Sequence, residues 1–267
     1  SSRDTMVIFS LTALILYLSA SVVVLRRLLS SRPAGWSFYL VAASAMLLHG
    51  TGIADSLWNT TKGQDMSLLN VASAVSLLIS MVLTLLAPRF NGWILLPVAY
   101  GFAVLLQGLN SLVPTHYVVH LAQRPELLGH IILALMAFSL LMIASLFALL
   151  LAYLDYRLKN RKRVTLPNLP PLLMVEKRVF QLILLGEVLL TLSLGTGLLF
   201  WQEMFTLEQA PKALLTLAAW AIYLCLLWGH YRHGWRGRTL ITLSLSGGVL
   251  LTLAYFGNRF VNEILLH

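Results

Sequence analysis

Charge is scarce in this sequence. Asp, Glu, Lys and Arg together make up 11% of its 267 residues, where a water-soluble domain carries about 25%. So few charged groups cannot cover a water-facing surface, which excludes a soluble globular protein and leaves lipid as the surrounding solvent. Cysteine is scarcer still. The single Cys225 lies in an apolar stretch, which excludes an intrachain disulfide and argues against a thiolate metal cluster. G-x-S-x-G, H-E-x-x-H, C-x-x-C-H and the phosphate-binding G-x-x-x-x-G-K-[ST] are all missing. No ATP-hydrolysing subunit resides in this chain, and no enzymatic activity is expected of it. Nor does a basic cluster precede the first apolar run. Arg26 and Arg27 follow that run instead, so it reads as a first span rather than a cleaved signal.

What the chain has in abundance is apolar sequence, at 58% of residues and a mean hydropathy of +0.82. Crossing about 30 Å of hydrocarbon takes roughly 20 such residues at 1.5 Å each. Eight runs qualify, at about 6–25, 36–53, 66–87, 93–112, 127–154, 179–201, 213–228 and 240–265. The expected fold is an all-α polytopic membrane protein, one membrane domain over 1–267 without a soluble domain. The net charge of +9 points to nucleic acid at first sight. The basic residues, however, fall in short runs between spans, a pattern that sets membrane orientation. Loops after the first, third, fifth and seventh spans hold fourteen of the nineteen, including Arg26, Arg27, Arg157, Lys159, Arg236 and Arg238. By the positive-inside rule those loops are cytoplasmic and both termini periplasmic. The expected setting is a bacterial inner membrane, with membrane lipid as a partner and no nucleic acid.

Leucine-rich spans carry no chemistry, so the informative positions are ionisable groups at membrane depth, which are costly to bury. His49, His130 and Glu187 are three such positions. His49 and His130 each lie about four residues from the outer end of a span, roughly 6 Å deep. Two readings stand for them: axial ligands for haem iron, or imidazoles hydrogen-bonded to neighbouring helices. Glu187 is either a proton-relay or cation-site carboxylate, or a protonated carboxyl satisfied by an adjacent helix. Asn70, Ser73 and Ser76, three residues apart, form a polar stripe of the kind that joins helices. His116 and His120 flank Tyr117 in an outer loop, and His230 and His233 sit among Trp228 and Trp235 at an inner end. The first pair, four residues apart, could ligate a metal if its loop were helical or is a solvated pair, and interfacial anchoring accounts for the second.

Several segments carry a resemblance. Leu128-Gly129-His130-Ile131-Ile132-Leu133-Ala134-Leu135 resembles the histidine-bearing helix of the cytochrome c assembly family, the CcsA- and CcmC-like haem-handling membrane proteins. Ala219-Trp220-Ala221-Ile222-Tyr223, Gly234-Trp235-Arg236-Gly237-Arg238 and Leu253-Ala254-Tyr255-Phe256-Gly257-Asn258 follow that family's order and spacing. With Ser67-Leu68-Leu69-Asn70-Val71, nearly the whole chain is similar to its inner-membrane members. The resemblance implies a haem-binding protein of cytochrome c-type biogenesis or haem transport, with haem b as the cofactor and histidines on iron near the outer face. His130 matches the family's first external histidine and His267 falls near its second. His230 lies near an inner one, and His49 is the second candidate at the depth of His130. Arg124, Lys212 and Arg259, all outside, could pair with haem propionates or snorkel to lipid phosphates. No metal site other than haem iron is expected. The family's Trp-rich haem-presenting motif is absent here, since the connection after the sixth span reads Gln202-Glu203-Met204-Phe205-Thr206-Leu207-Glu208-Gln209-Ala210-Pro211. The fold therefore carries over, but cytochrome c synthase activity does not. A haem-receiving or transporter partner protein is compatible with this reading. The alternative is an accessory or scaffold subunit of an inner-membrane transporter, or a transporter, without haem.

Overall fold

The computed structural model describes residues 2–30, 32, 35–58, 64–112, 118–119, 124–160, 169–200, 202, 206–207 and 209–265. Among these, eight helices are long and apolar enough to cross a membrane, and the chain is an all-α polytopic membrane protein. The helices are α1 (Ser2–Ser30), α2 (Trp36–Trp58), α3 (Leu68–Phe90), α4 (Leu96–Leu112), α5 (Pro125–Lys159), α6 (Leu172–Gly197), α7 (Ala210–His233) and α8 (Arg238–Thr252). Beyond α8 the chain continues as a π-wound stretch, Leu253–Gly257, a helical turn, Asn258–Phe260, and a second π-wound stretch, Val261–Leu265. A two-residue ladder, β1 (Gln64–Asp65) against β2 (Val118–Val119), is antiparallel with Gln64 opposite Val119.

Helix ends follow from local chemistry. Pro125 opens α5 and Pro211 lies in the first turn of α7, where a missing N–H leaves no hydrogen bond unmade. α3 stops at Asn91, whose left-handed conformation (φ 51°) returns its N–H to the Ala87 carbonyl. Gly234 (φ 68°) ends α7, and Gly237 (φ 64°, ψ −127°) holds a backbone region that is essentially restricted to glycine. α5, with 35 residues, is about 52 Å long. It therefore overruns the hydrocarbon and ends on Arg157 and Lys159, cations that suit a helix C-terminus.

The helices extend beyond the apolar runs that announce them. α2 continues five residues past position 53 because Asp55 and Ser56, though polar, are compatible with a helix; the Ser56 hydroxyl bonds back to the Gly52 carbonyl. His49 therefore sits nine residues from the end of its helix, about 14 Å rather than 6 Å. His130 lies five residues after Pro125, about 8 Å in.

The chain forms two compact units, residues 1–123 with 164–170 and residues 124–163 with 171–267. In the first, α1 touches α2 and α4, and α3 touches the same two, giving a closed ring of four helices. In the second, α5 touches α6 and α8, and α7 touches the same two. Tyr17, Phe38, Leu83, Leu96 and Tyr100 fill the first core; Leu141, Phe147, Ile183, Leu190 and Tyr223 fill the second. The outward positions are themselves large and apolar, including Ile15, Leu40, Leu85 and Leu199, as a lipid-facing surface requires.

Candidate functional site

At one end of the second unit, the first two turns of α5 and the last of α6 bring His130 beside Thr196. His130 Nδ1 lies 2.9 Å from Thr196 Oγ1. The Thr196 hydroxyl also donates to the Ser193 carbonyl at 2.8 Å. The half-buried His130 ring is 6.1 Å from that of Phe200, and the Arg124 guanidinium lies over the same Phe200 ring at 5.3 Å. Lys212, at the start of α7, places Nζ 5.5 Å from the Tyr255 ring centre, and Tyr255 stacks on Phe138 at 5.2 Å. His130, Arg124 and Phe200 thus form one cluster, and Lys212, Tyr255, Phe138 and Phe256 a second in the same unit, with Arg259 one turn beyond Tyr255. Thr196 and Phe200 carry no polar or ionic signature in a hydropathy profile, which is why sequence reasoning missed them.

His49, in the first unit, is placed differently. It is 1% exposed, its Nδ1 is 2.8 Å from the Tyr17 hydroxyl, and its Nε2 is 2.7 Å from Ser73 Oγ. Both ring nitrogens are occupied. Tyr17 lies edge-on to His49 and against Tyr100, whose hydroxyl meets Thr84 at 2.7 Å. Ser73 belongs to the stripe with Asn70 and Ser76. Asn70 accepts from Asn110 of α4 at 3.4 Å, and Ser76 bonds back to the Ser73 carbonyl. On the same helix Ser80 and Thr84 are buried as well.

Glu187 lies at mid-length in α6, 4% exposed, and neither carboxyl oxygen has a hydrogen-bond partner. At the other end of the second unit, His230 stacks on Phe180 with ring centres 3.5 Å apart and bonds the Trp235 carbonyl through Nδ1 at 2.9 Å. The loop that follows is held by Glu176 of α6, which accepts from the Gly237 N–H at 2.7 Å and pairs with Arg236 at 3.6 Å. The Trp235 ring lies directly on Gly229, where a side chain would collide with it. Glu176 went unnoticed in the sequence because it reads as one more interfacial charge. His116, His120 and His267 fall outside the described residues. Among the described residues, no group of three or more His, Cys, Asp and Glu could hold a metal ion.

The family described as Cytochrome C assembly protein matches residues 36–266. The chain belongs to this family. It is 42% identical over 263 residues to the Inner membrane protein YpjD of Escherichia coli K12, covering 97% of this chain and all of that one. The YpjD proteins of two other Escherichia coli strains match to the same extent. An uncharacterized 28.8 kDa protein of Azospirillum brasilense is 28% identical over 287 residues, covering 97% of this chain and 98% of its own length. No solved structure matches. The likeness to the inner-membrane members of the family, read from Leu128–Leu135 and Gly234–Arg238, is borne out, and YpjD is the type concerned. With eight apolar helices, this is a multi-pass protein of a bacterial inner membrane.

Proposed function

We propose that this member of the family binds haem at the His130 end of its second unit and hands it on without enzymatic chemistry. The observation that carries the reading is the setting of His130, half-buried near the start of α5 beside Thr196 and Phe200. A contact from Nδ1 to Thr196 orients the ring, and a neutral imidazole oriented through one nitrogen ligates iron through the other. The surrounding residues fit the rest of the group. Phe200, Tyr255 and Phe138 offer aromatic surface to a flat macrocycle, and Arg124, Lys212 and Arg259 offer charge-assisted hydrogen bonds to two propionates. Bound there, haem b would supply a redox-active iron. The chain's own residues bind, orient and neutralise it.

In this reading both termini are periplasmic, as the loop charges indicate, so the His130 end faces the periplasm and a haem-receiving partner there. His49 remains the second candidate ligand, and would have to release Tyr17 or Ser73 to coordinate. His230 would have to give up its Phe180 stack or its bond to Trp235. The missing Trp-rich motif argues for binding and transfer rather than cytochrome c synthesis.

The deciding measurement is the absorbance of detergent-purified protein, oxidised and reduced, after expression with excess haem. A Soret band that disappears in His130→Ala is the expected result. Protein that stays colourless, or a band unchanged in His130→Ala, overturns the proposal and leaves the haem-free accessory or transporter reading.

A further inference from the structure

The middle of the second unit holds buried oxygen atoms with nothing to bond to. Both carboxyl oxygens of Glu187 on α6, the Tyr223 hydroxyl on α7 and the Ser244 hydroxyl on α8 have no hydrogen-bond partner. Glu187 is 4% exposed, and Tyr223 and Ser244 are fully buried. Native proteins hold only a few such atoms per hundred residues, and each calls for an explanation such as a bound water or ion. Here they are neighbours. The Tyr223 ring lies on Gly247, so closely that a Cβ there would come within 2.6 Å of the ring carbon bearing the hydroxyl. Ser244 is one turn away on the same face of α8. Gly248 opens in turn onto Ser145 Oγ of α5. Thr191, one turn after Glu187 on α6, accepts from the Trp220 indole, one turn before Tyr223 on α7, at 2.9 Å, which sets Glu187 and Tyr223 side by side between the two helices. Gly186, next to Glu187, receives Leu141 of α5, one turn before Ser145. All four helices of the unit thus contribute one oxygen-bearing side chain to one place.

We infer that Ser145, Glu187, Tyr223 and Ser244 form an internal proton-binding site, in which ordered water bridges the Glu187 carboxyl to the three hydroxyls and the carboxyl takes up and releases a proton. The chemistry selects a proton over a metal ion. The cluster has one carboxylate, and a multi-oxygen cation site at this depth would need backbone carbonyls, which α6, α7 and α8 commit to unbroken helical hydrogen bonds here. A water needs two to four polar partners, and the cluster has them. The titratable group facing Glu187 from α7 is Tyr223. From α5 and α8 the facing polar groups are Ser145 and Ser244, which do not titrate, and among the described residues no cation bonds to the carboxyl. A carboxyl at membrane depth that satisfies no structural bond marks an ion or proton path more readily than a strut. The inference is independent of haem.

Infrared difference spectroscopy on the full chain in lipid nanodiscs tests it. The protonated-carboxyl stretch should titrate reversibly within roughly pH 4 to 9, where protein carboxyls can ionise. It should vanish in Glu187→Gln. In Tyr223→Phe and Ser244→Ala its midpoint should move by about one pH unit, a tenfold change in proton affinity. A band that does not titrate, that survives Glu187→Gln, or that sodium ions abolish at constant pH overturns the inference. Should Glu187→Gln fail to fold, Tyr223→Phe decides alone: a moved midpoint supports the site, an unmoved one refutes it.

Discussion

The two four-helix units share a cyclic neighbour order but differ in how the most buried imidazole or carboxyl of each is held. In the first, His49 is closed off at both nitrogens by Tyr17 and Ser73, and Tyr100 meets Thr84. In the second, no side chain or backbone group bonds the Glu187 carboxyl, and His130 meets Thr196 through Nδ1; unpartnered hydroxyls and amides occur in both units, Ser80 and Gln107 in the first and Tyr223 and Ser244 in the second. Satisfied polar groups in a membrane fix which helix faces meet, because in hydrocarbon the alternative is an unpaired dipole. Unsatisfied ones lower stability and are retained where a ligand, ion or proton completes them. On this contrast His49 joins helices of the first unit, whereas the Glu187 carboxyl of the second makes no structural bond.

The largest effect should come from reversing the two. His49→Phe orphans the Tyr17 and Ser73 hydroxyls, each costing about 1–3 kcal/mol, so the first unit should lose about 2–6 kcal/mol of unfolding free energy measured in mixed micelles. Glu187→Met replaces an orphan by an apolar side chain of similar length, a change that is neutral or stabilising when the removed group had no partner. Its unfolding free energy should be unchanged or higher. Loss of several kcal/mol in Glu187→Met would mean that the carboxyl is a structural element, and the contrast between the units would fail.

A second comparison concerns close approach inside the second unit. Gly247→Ala drives a methyl against the Tyr223 ring at 2.6 Å, and overpacking of this kind costs about 1–3 kcal/mol. Gly101 of α4, which has open space beside it, should accept alanine with a gain of about 0.5–1 kcal/mol from helix propensity. Thermal midpoints of the two variants in detergent should therefore move in opposite directions.

These contrasts also show what a single sequence can disclose. The eight spans were legible because each contains about twenty apolar residues, a length set by the bilayer. Their ends were less so: Asp55 and Ser56 lower hydropathy without ending α2, and Arg157 and Lys159 prolong α5 past the lipid. Glu187 and His130 stood out as ionisable groups in apolar runs, and the cations near His130 from the count of outer basic residues. Their companions did not. Tyr17, Ser145, Thr196, Tyr223 and Ser244 belong to residue types that any membrane helix carries, and their meaning depends on which faces meet across tens to more than a hundred residues of chain. Hydropathy does not encode that pairing.

A smaller effect belongs to the loop at the far end of the second unit. Glu176→Ala removes both the acceptor for the Gly237 N–H and the charge that pairs with Arg236, and it should cost about 1.5 kcal/mol. Arg236→Ala should cost less, because that ion pair is long, at 3.6 Å, and the arginine side chain is 63% exposed. Exposed pairs contribute about 0–1 kcal/mol. The order of the two variants is the informative result. If Arg236→Ala proves the more damaging in denaturation measurements, the ion pair, and not the backbone bond from Gly237, holds the loop to α6.

The smallest effect is expected where neither kind of polar core is involved. Lys159 and Asp155, one turn apart at the end of α5, pair at 3.0 Å with side chains 67% and 33% exposed. A helical pair of this spacing contributes about 0.3–0.5 kcal/mol and weakens with salt. Lys159→Ala should therefore shift the unfolding free energy by no more than that, and raising ionic strength should erase the difference. A larger, salt-resistant loss would mean that this end of α5 is buried against something in the folded protein, and that the polar surface of the second unit extends further along the helix than its core.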